Sequence, residues 1–222
     1  MWRVELRWYL FVLLAIPASE VLGAIVLPGV LASYQPLSLA LVLGYPLAFV
    51  ATFVLGGPSG EEPGWRGFAL PRLQAACGPL PGSLLLGVLW ALWHLPLFWS
   101  GVWTQPSLAN IIMFVVMITM LTVVMAWVFN NAKGSLLITM LMHASFDTFA
   151  NKIVAPLFPA PLLNDYGLLP ELVGFGAVAV IVVAATRGRL SLRRSQESNP
   201  AALPSEVLAL HTPGVIPPSL AA

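Results

Sequence analysis

Charge is what this chain has least of. Asp, Glu, Lys and Arg make up 9% of its 222 residues, against 59% apolar side chains and a mean hydropathy of +0.88. So little polar surface cannot cover a water-soluble globule, and the composition reads as an all-α polytopic membrane protein. Cysteine is nearly absent too: Cys77 stands alone, which excludes an intrachain disulfide and any cysteine-based metal site. A net charge of +1 gives no reason to expect nucleic acid as a partner. The HExxH pair of soluble zinc proteases does not occur. No small-residue cleavage site follows the first apolar run, which is too long for a signal-peptide core and is read as retained. There is no internal repeat.

What is present is a series of apolar runs long enough to cross a bilayer, each needing about 20 residues. Six spans are expected, over Trp8–Val30, Leu37–Leu55, Ser83–Trp103, Leu108–Phe129, Ser135–Phe149 and Leu168–Ala185, the fifth being short. They form one integral-membrane domain over residues 1–190, embedded in lipid. Residues 191–222, rich in Pro, Ser and Ala without a sustained apolar period, are expected to be a disordered cytoplasmic tail containing His211. Lys and Arg resist translocation. With the N-terminus in the cytoplasm, Arg3, Arg7, Arg66, Arg72, Lys133, Arg187, Arg189, Arg193 and Arg194 all fall inside, and of the ten basic residues only Lys152 falls outside. Both termini are therefore expected in the cytoplasm, and the compact size fits a bacterial plasma membrane. The outer loop would hold Lys152 and Asp165 as ordinary loop charges.

Ionisable groups within spans cost several kcal/mol unless paired or hydrated, so each is a functional candidate. In LLITMLMHASFDTF, His143 and Asp147 are one helical turn apart and project from one face. They could form a ligand pair or an oriented imidazole, or simply satisfy each other inside a bundle. In SLLLGVLWALWHLPLFW, Trp90 precedes His94 by one turn and Pro96 follows, where a bent helix could line a cavity. His94 alone could equally be a core histidine, and Trp90 and Trp93 could simply pack. At 1.5 Å per residue, His94 lies ~16 Å and His143 ~12 Å from the cytoplasmic start of its span. Glu20 stands alone in the first span.

The most polar segment is GGPSGEEPGWRGFALPRL, residues 56–73. Ser59 and Glu62 have capping-box spacing and Pro63 suits a first turn, so a helix is expected to begin at Gly60 or Glu61 with Ser59 as its cap. Glu62 and Arg66 are spaced for an ion pair. Glu61 then has no local partner, and a short interfacial helix could carry it toward the two histidines. A carboxylate, two imidazoles and a second carboxylate in a partly dry cavity suit water activation and peptide hydrolysis.

Glu61-Glu62-Pro-Gly-Trp-Arg66, Trp90-Ala-Leu-Trp-His94 and His143-Ala-Ser-Phe-Asp147, in this order and on separate helices, resemble the CAAX prenyl protease and bacteriocin-processing family of intramembrane proteases, which includes the Ras-converting enzyme. The resemblance covers about residues 37–150. It implies endoproteolysis of a peptide or membrane-anchored protein within the membrane, reached from the cytoplasmic side. Glu61 and His94 would activate water, while His143 and Asp147 would bind or stabilise the oxyanion. Trp90 stands where the family more usually has Phe, a change expected to alter packing only. Asp147 stands where Asn is common, and an ionised carboxylate would repel an oxyanion. Asp147 is therefore protonated, orients His143, or ligates a metal. Zinc held by Glu61, His94, His143 and Asp147 would suit that last alternative, beside a glutamate mechanism without metal.

Two other classes stay open. Gly57-Pro-Ser59-Gly60 matches the GxSG pattern of rhomboid serine proteases, with His143 as the base. A proton-coupled transporter, or an immunity-type membrane protein with a vestigial site, could use Glu20, Glu61, His94, His143 and Asp147 as a relay.

Overall fold

A computed structural model describes residues 4–100, 106–158 and 166–192. Arg3, Trp103, Asp165, Arg193, Arg194, His211 and the expected tail beyond residue 194 lie outside them. The described residues are almost entirely helical, with no strand among them. We label seven helices: α1 (Leu6–Ile25), α2 (Leu39–Leu55), α3 (57–77), α4 (Pro79–Trp99), α5 (Leu108–Asn131), α6 (Leu136–Phe149, prolonged to Leu157) and α7 (Leu169–Thr186).

Five stretches among the described residues are long and apolar enough to cross a membrane: α1, the run of α2 and α3 together, α4, α5 and α7. This is an integral membrane helical bundle. The fifth expected span, α6, is helical but not among those five; it carries His143 and Asp147, and half of its residues from Leu136 to Phe149 are buried. The first helix stops at Ile25, not Val30, because Pro28 has no N–H to continue it and Gly29 turns into the left-handed region at φ 78°.

Prolines also shape the helices internally. Three segments widen into π-helix, Phe11–Ala15, Pro63–Ala69 and Ala150–Val154, and each is followed two residues later by a proline: Pro17, Pro71 and Pro156. A proline leaves a carbonyl of the preceding turn without a donor and crowds it; widening that turn relieves both. One such turn carries Arg66 into the protein interior.

Helix starts follow side-chain capping where it exists. Ser38 accepts from the Leu41 amide at 3.3 Å ahead of α2, and Ser107 accepts from the Asn110 amide at 3.1 Å ahead of α5. Ser59 does not cap. Helix α3 begins three residues earlier than expected, at Gly57, after Gly56 adopts extended backbone. The Ser59 hydroxyl instead donates back to the carbonyls of Val54 (2.9 Å) and Gly56 (3.4 Å). Glu62, freed from capping, points into the bundle.

Helix α5 is the most enclosed element, with half its residues buried, whereas α2 buries none and presents apolar side chains outward. Helices α1 and α7 approach until a Cβ on Gly23 would strike the Pro170 carbonyl and one on Gly174 the Ser19 carbonyl. Such backbone contact through small residues suits a bilayer, where apolar burial drives no association and packing must.

Candidate active site

Helices α3, α4 and α6 bring the three motifs together. The two adjacent glutamates meet different partners. Glu62 is fully buried; its Oε1 accepts from Arg66 Nη1 at 2.8 Å and from His143 Nδ1 at 2.9 Å. Arg66, equally buried, donates Nη2 to Met125 Sδ at 3.0 Å and lays its guanidinium 4.0 Å from the Trp90 ring centroid. A buried ion pair costs desolvation that added contacts offset, and here the His143 imidazole and the Trp90 ring face supply part of them, while Glu62 Oε2 and Arg66 Nε find no hydrogen-bond partner among the described residues.

Glu61 faces the other way, its side chain 14% exposed. Its Oε2 accepts from the Trp90 indole N–H at 2.7 Å and stands 3.8 Å from His94 Nε2. His94 Nδ1 donates to the Trp90 carbonyl at 2.9 Å, one turn back on α4, which leaves the Nε2 lone pair directed toward Glu61 when the ring is neutral. Gly57 makes room: a Cβ there would lie 2.5 Å from Glu61 Oε1 and 3.3 Å from His143 Cε1. On α6, His143 Nε2 lies 3.4 Å from Asp147 Oδ2, the latter side chain 34% exposed. The Trp90 ring stands edge-on to both imidazoles, its centroid 5.6 Å from that of His94 and 5.3 Å from that of His143.

A cavity of about 400 Å³ opens beside this cluster. His94, His143, Asp147 and Trp90, with Asn151 and Glu171, supply its polar wall; Phe98, Phe114, Met117 and Phe146 are among its apolar lining. Glu61 is not part of the wall and reaches it through His94.

All seven candidates, Glu61, Glu62, Arg66, Trp90, His94, His143 and Asp147, thus lie in one connected cluster, while Glu20 does not join it by any hydrogen bond. Glu20 is 1% exposed, and neither carboxyl oxygen finds a hydrogen-bond partner among the described residues. Trp90 does more than the packing expected of it, because its N–H holds Glu61. Glu171 is missed in the sequence reading: it lines the cavity from the first turn of α7, with Oε2 buried and unpartnered among the described residues. Its position within the Leu168–Ala185 run was the available signal. The four side chains considered for zinc do not converge on a point. Among the described residues, no group of three or more His, Cys, Asp or Glu is arranged to hold a metal ion. The ring nitrogens and carboxylates stand as two separate pairs, Glu61 with His94 and His143 with Asp147, and no third such group joins either pair as a zinc set among the described residues.

Fold and site together describe an integral membrane helical protein with a cluster of glutamates and histidines beside a cavity between its helices. Residues 43–149, the segment that holds all seven cluster residues, match the family described as type II CAAX prenyl endopeptidase Rce1-like. A stretch of 88 residues is 28% identical to CAAX prenyl protease 2 of Methanococcus maripaludis, covering 37% of this chain and 32% of that protein. The matched stretch thus spans about a third of the relative's length.

Proposed function

We propose that this protein is an intramembrane endopeptidase that hydrolyses a peptide bond with water activated by Glu61 and His94. The observation that carries the reading is the 3.8 Å gap between Glu61 Oε2 and His94 Nε2, next to a cavity with an apolar wall. A water ~2.8 Å from both atoms donates one hydrogen to each and leaves its lone pairs for attack. Both acceptors are held, one by the Trp90 indole and the other by the Trp90 carbonyl.

Water adds to the scissile carbonyl carbon as its proton passes to Glu61. The carbonyl oxygen becomes an oxyanion, and the proton carried between His143 Nε2 and Asp147 Oδ2 is the donor for it. In this role Asp147 orients His143 and need not face the oxyanion as a bare charge. Glu62 accepts from His143 Nδ1, fixing which nitrogen faces the cavity. Collapse of the tetrahedral species breaks the C–N bond, and the proton held by Glu61 goes to the leaving amine. No step requires a metal.

The substrate class follows the matched family and the relative's name: a membrane-anchored protein of CAAX type, cleaved near the cytoplasmic face. That side rests on the exposed basic residues Arg72, within α3, and Lys133, in the α5–α6 turn, since Lys and Arg resist translocation. The serine alternative loses support because the Ser59 hydroxyl donates to main-chain carbonyls, while both His143 nitrogens face carboxylates. The test is cleavage of a membrane-peptide library, including prenylated CAAX peptides, by purified protein in detergent. Wild type and Ser59→Ala are expected to cleave and Glu61→Gln to be inactive; loss in Ser59→Ala with retention in Glu61→Gln would reverse the assignment.

A further inference from the structure

Trp90 is 1% exposed and belongs to the main hydrophobic core, a burial that packing alone would explain. Its polar atoms tell more. The indole N–H is spent on Glu61 Oε2 at 2.7 Å, and the carbonyl of the same residue takes the Nδ1 hydrogen of His94 at 2.9 Å. One residue therefore holds both atoms that flank the 3.8 Å gap. Its ring cannot drift, because the Arg66 guanidinium covers one face at 4.0 Å and the His94 and His143 rings abut it edge-on.

Glu61 has three rotatable side-chain bonds and, among the described residues, no Lys or Arg within salt-bridge distance, His94 being its one basic neighbour. Left alone, its carboxylate would swing among rotamers and sample the reactive one part of the time. Gly57 leaves it room on one side, where an added Cβ would lie 2.5 Å from Oε1. The indole limits it on the other and fixes Oε2 as the oxygen that faces His94. A phenylalanine ring would fill most of the same volume and could not donate.

We infer that Trp90 is a positioning residue for the hydrolytic water, acting through Glu61 by its indole N–H. This rests on the endopeptidase reading for its purpose, but the Trp90 to Glu61 contact can be tested without activity. Because the His94 bond uses the Trp90 main chain, a side-chain substitution removes the Glu61 bond and leaves the other in place.

The experiment pairs Trp90→Phe kinetics with ¹⁵N-indole NMR of the intact protein in detergent micelles. Loss of a hydrogen bond to a charged group is expected to lower kcat about ten- to a hundredfold. KM is expected to stay within about twofold, because the ring that borders the cavity is kept. A role in packing alone would instead lower the thermal midpoint and leave kcat of the folded fraction unchanged, which overturns the inference. The indole resonance absent from Trp90→Phe is Trp90's own. It is expected to move upfield and exchange faster with water in Glu61→Ala, and an unmoved resonance also overturns the inference. If wild type cleaves no substrate the endopeptidase reading fails, and the resonance still decides whether Trp90 holds Glu61.

Discussion

Glu61 and Glu62 are neighbours in sequence with the same chemistry, yet the fold gives them opposite surroundings. Glu62 is sealed at 0% exposure among Arg66 and His143, and its hydrogen bonds are to side chains that do not leave. Glu61 at 14% has one donor, Trp90, and faces His94 Nε2 across 3.8 Å, the gap in which the proposed water would sit. Adjacent helical residues point about 100° apart, so a single turn of α3 can send one carboxylate into the packed bundle and the other to the edge of a cavity. The lesson is that two adjacent glutamates can be set to different tasks: one is locked into the packed bundle, and the other, on the proposed reading, works beside the cavity.

The sharpest way to break the comparison is to remove each carboxylate's charge in turn. Glu61→Gln is expected to lower cleavage about 10²- to 10⁴-fold, the range of a general base, with an unchanged thermal midpoint. Glu62→Ala is expected to do the reverse first. It leaves the Arg66 guanidinium buried without its anion, a loss of about 3–5 kcal/mol in stability, read by thermal or denaturant unfolding in detergent. Equal melting of the two variants would show that the division is wrong.

Gly57→Ala tests the space on the Glu61 side. The new Cβ forces Oε1 from 2.5 Å to an ordinary contact distance, a shift of about 1 Å, and displacements of that size cost up to about 10²-fold in rate. Asp147 gives a smaller contrast. Asp147→Asn keeps a hydrogen-bonding group beside His143 and is expected to cleave within about tenfold of wild type, whereas Asp147→Ala is expected to fall about 10²-fold. Ser59→Ala should change cleavage by less than about twofold, since only two main-chain carbonyls lose a donor.

Much of this is legible in the sequence alone. Long apolar runs announce the helices, and ionisable residues within them announce the centre, because a bilayer tolerates few such groups without a reason. The spacing of Glu62 and Arg66 gave their ion pair. Three things were not legible. The capping-box reading of Ser59 and Glu62 fails because Gly56 breaks the helix earlier, and local spacing cannot report where a bundle pulls a carboxylate. The bond from Trp90 to Glu61 joins residues 29 apart in sequence, so nothing local to either motif reveals it. The place of Glu171 on the cavity wall depends on how α7 packs, which its own apolar run does not encode.

Cleavage in reconstituted vesicles tests the central claim most directly. Wild type, Ser59→Ala, Glu61→Gln and His94→Ala would be given one membrane-anchored peptide, with and without a chelator. The account expects equal product from wild type and Ser59→Ala, no dependence on the chelator, and almost none from Glu61→Gln or His94→Ala. Full cleavage by Glu61→Gln would contradict it.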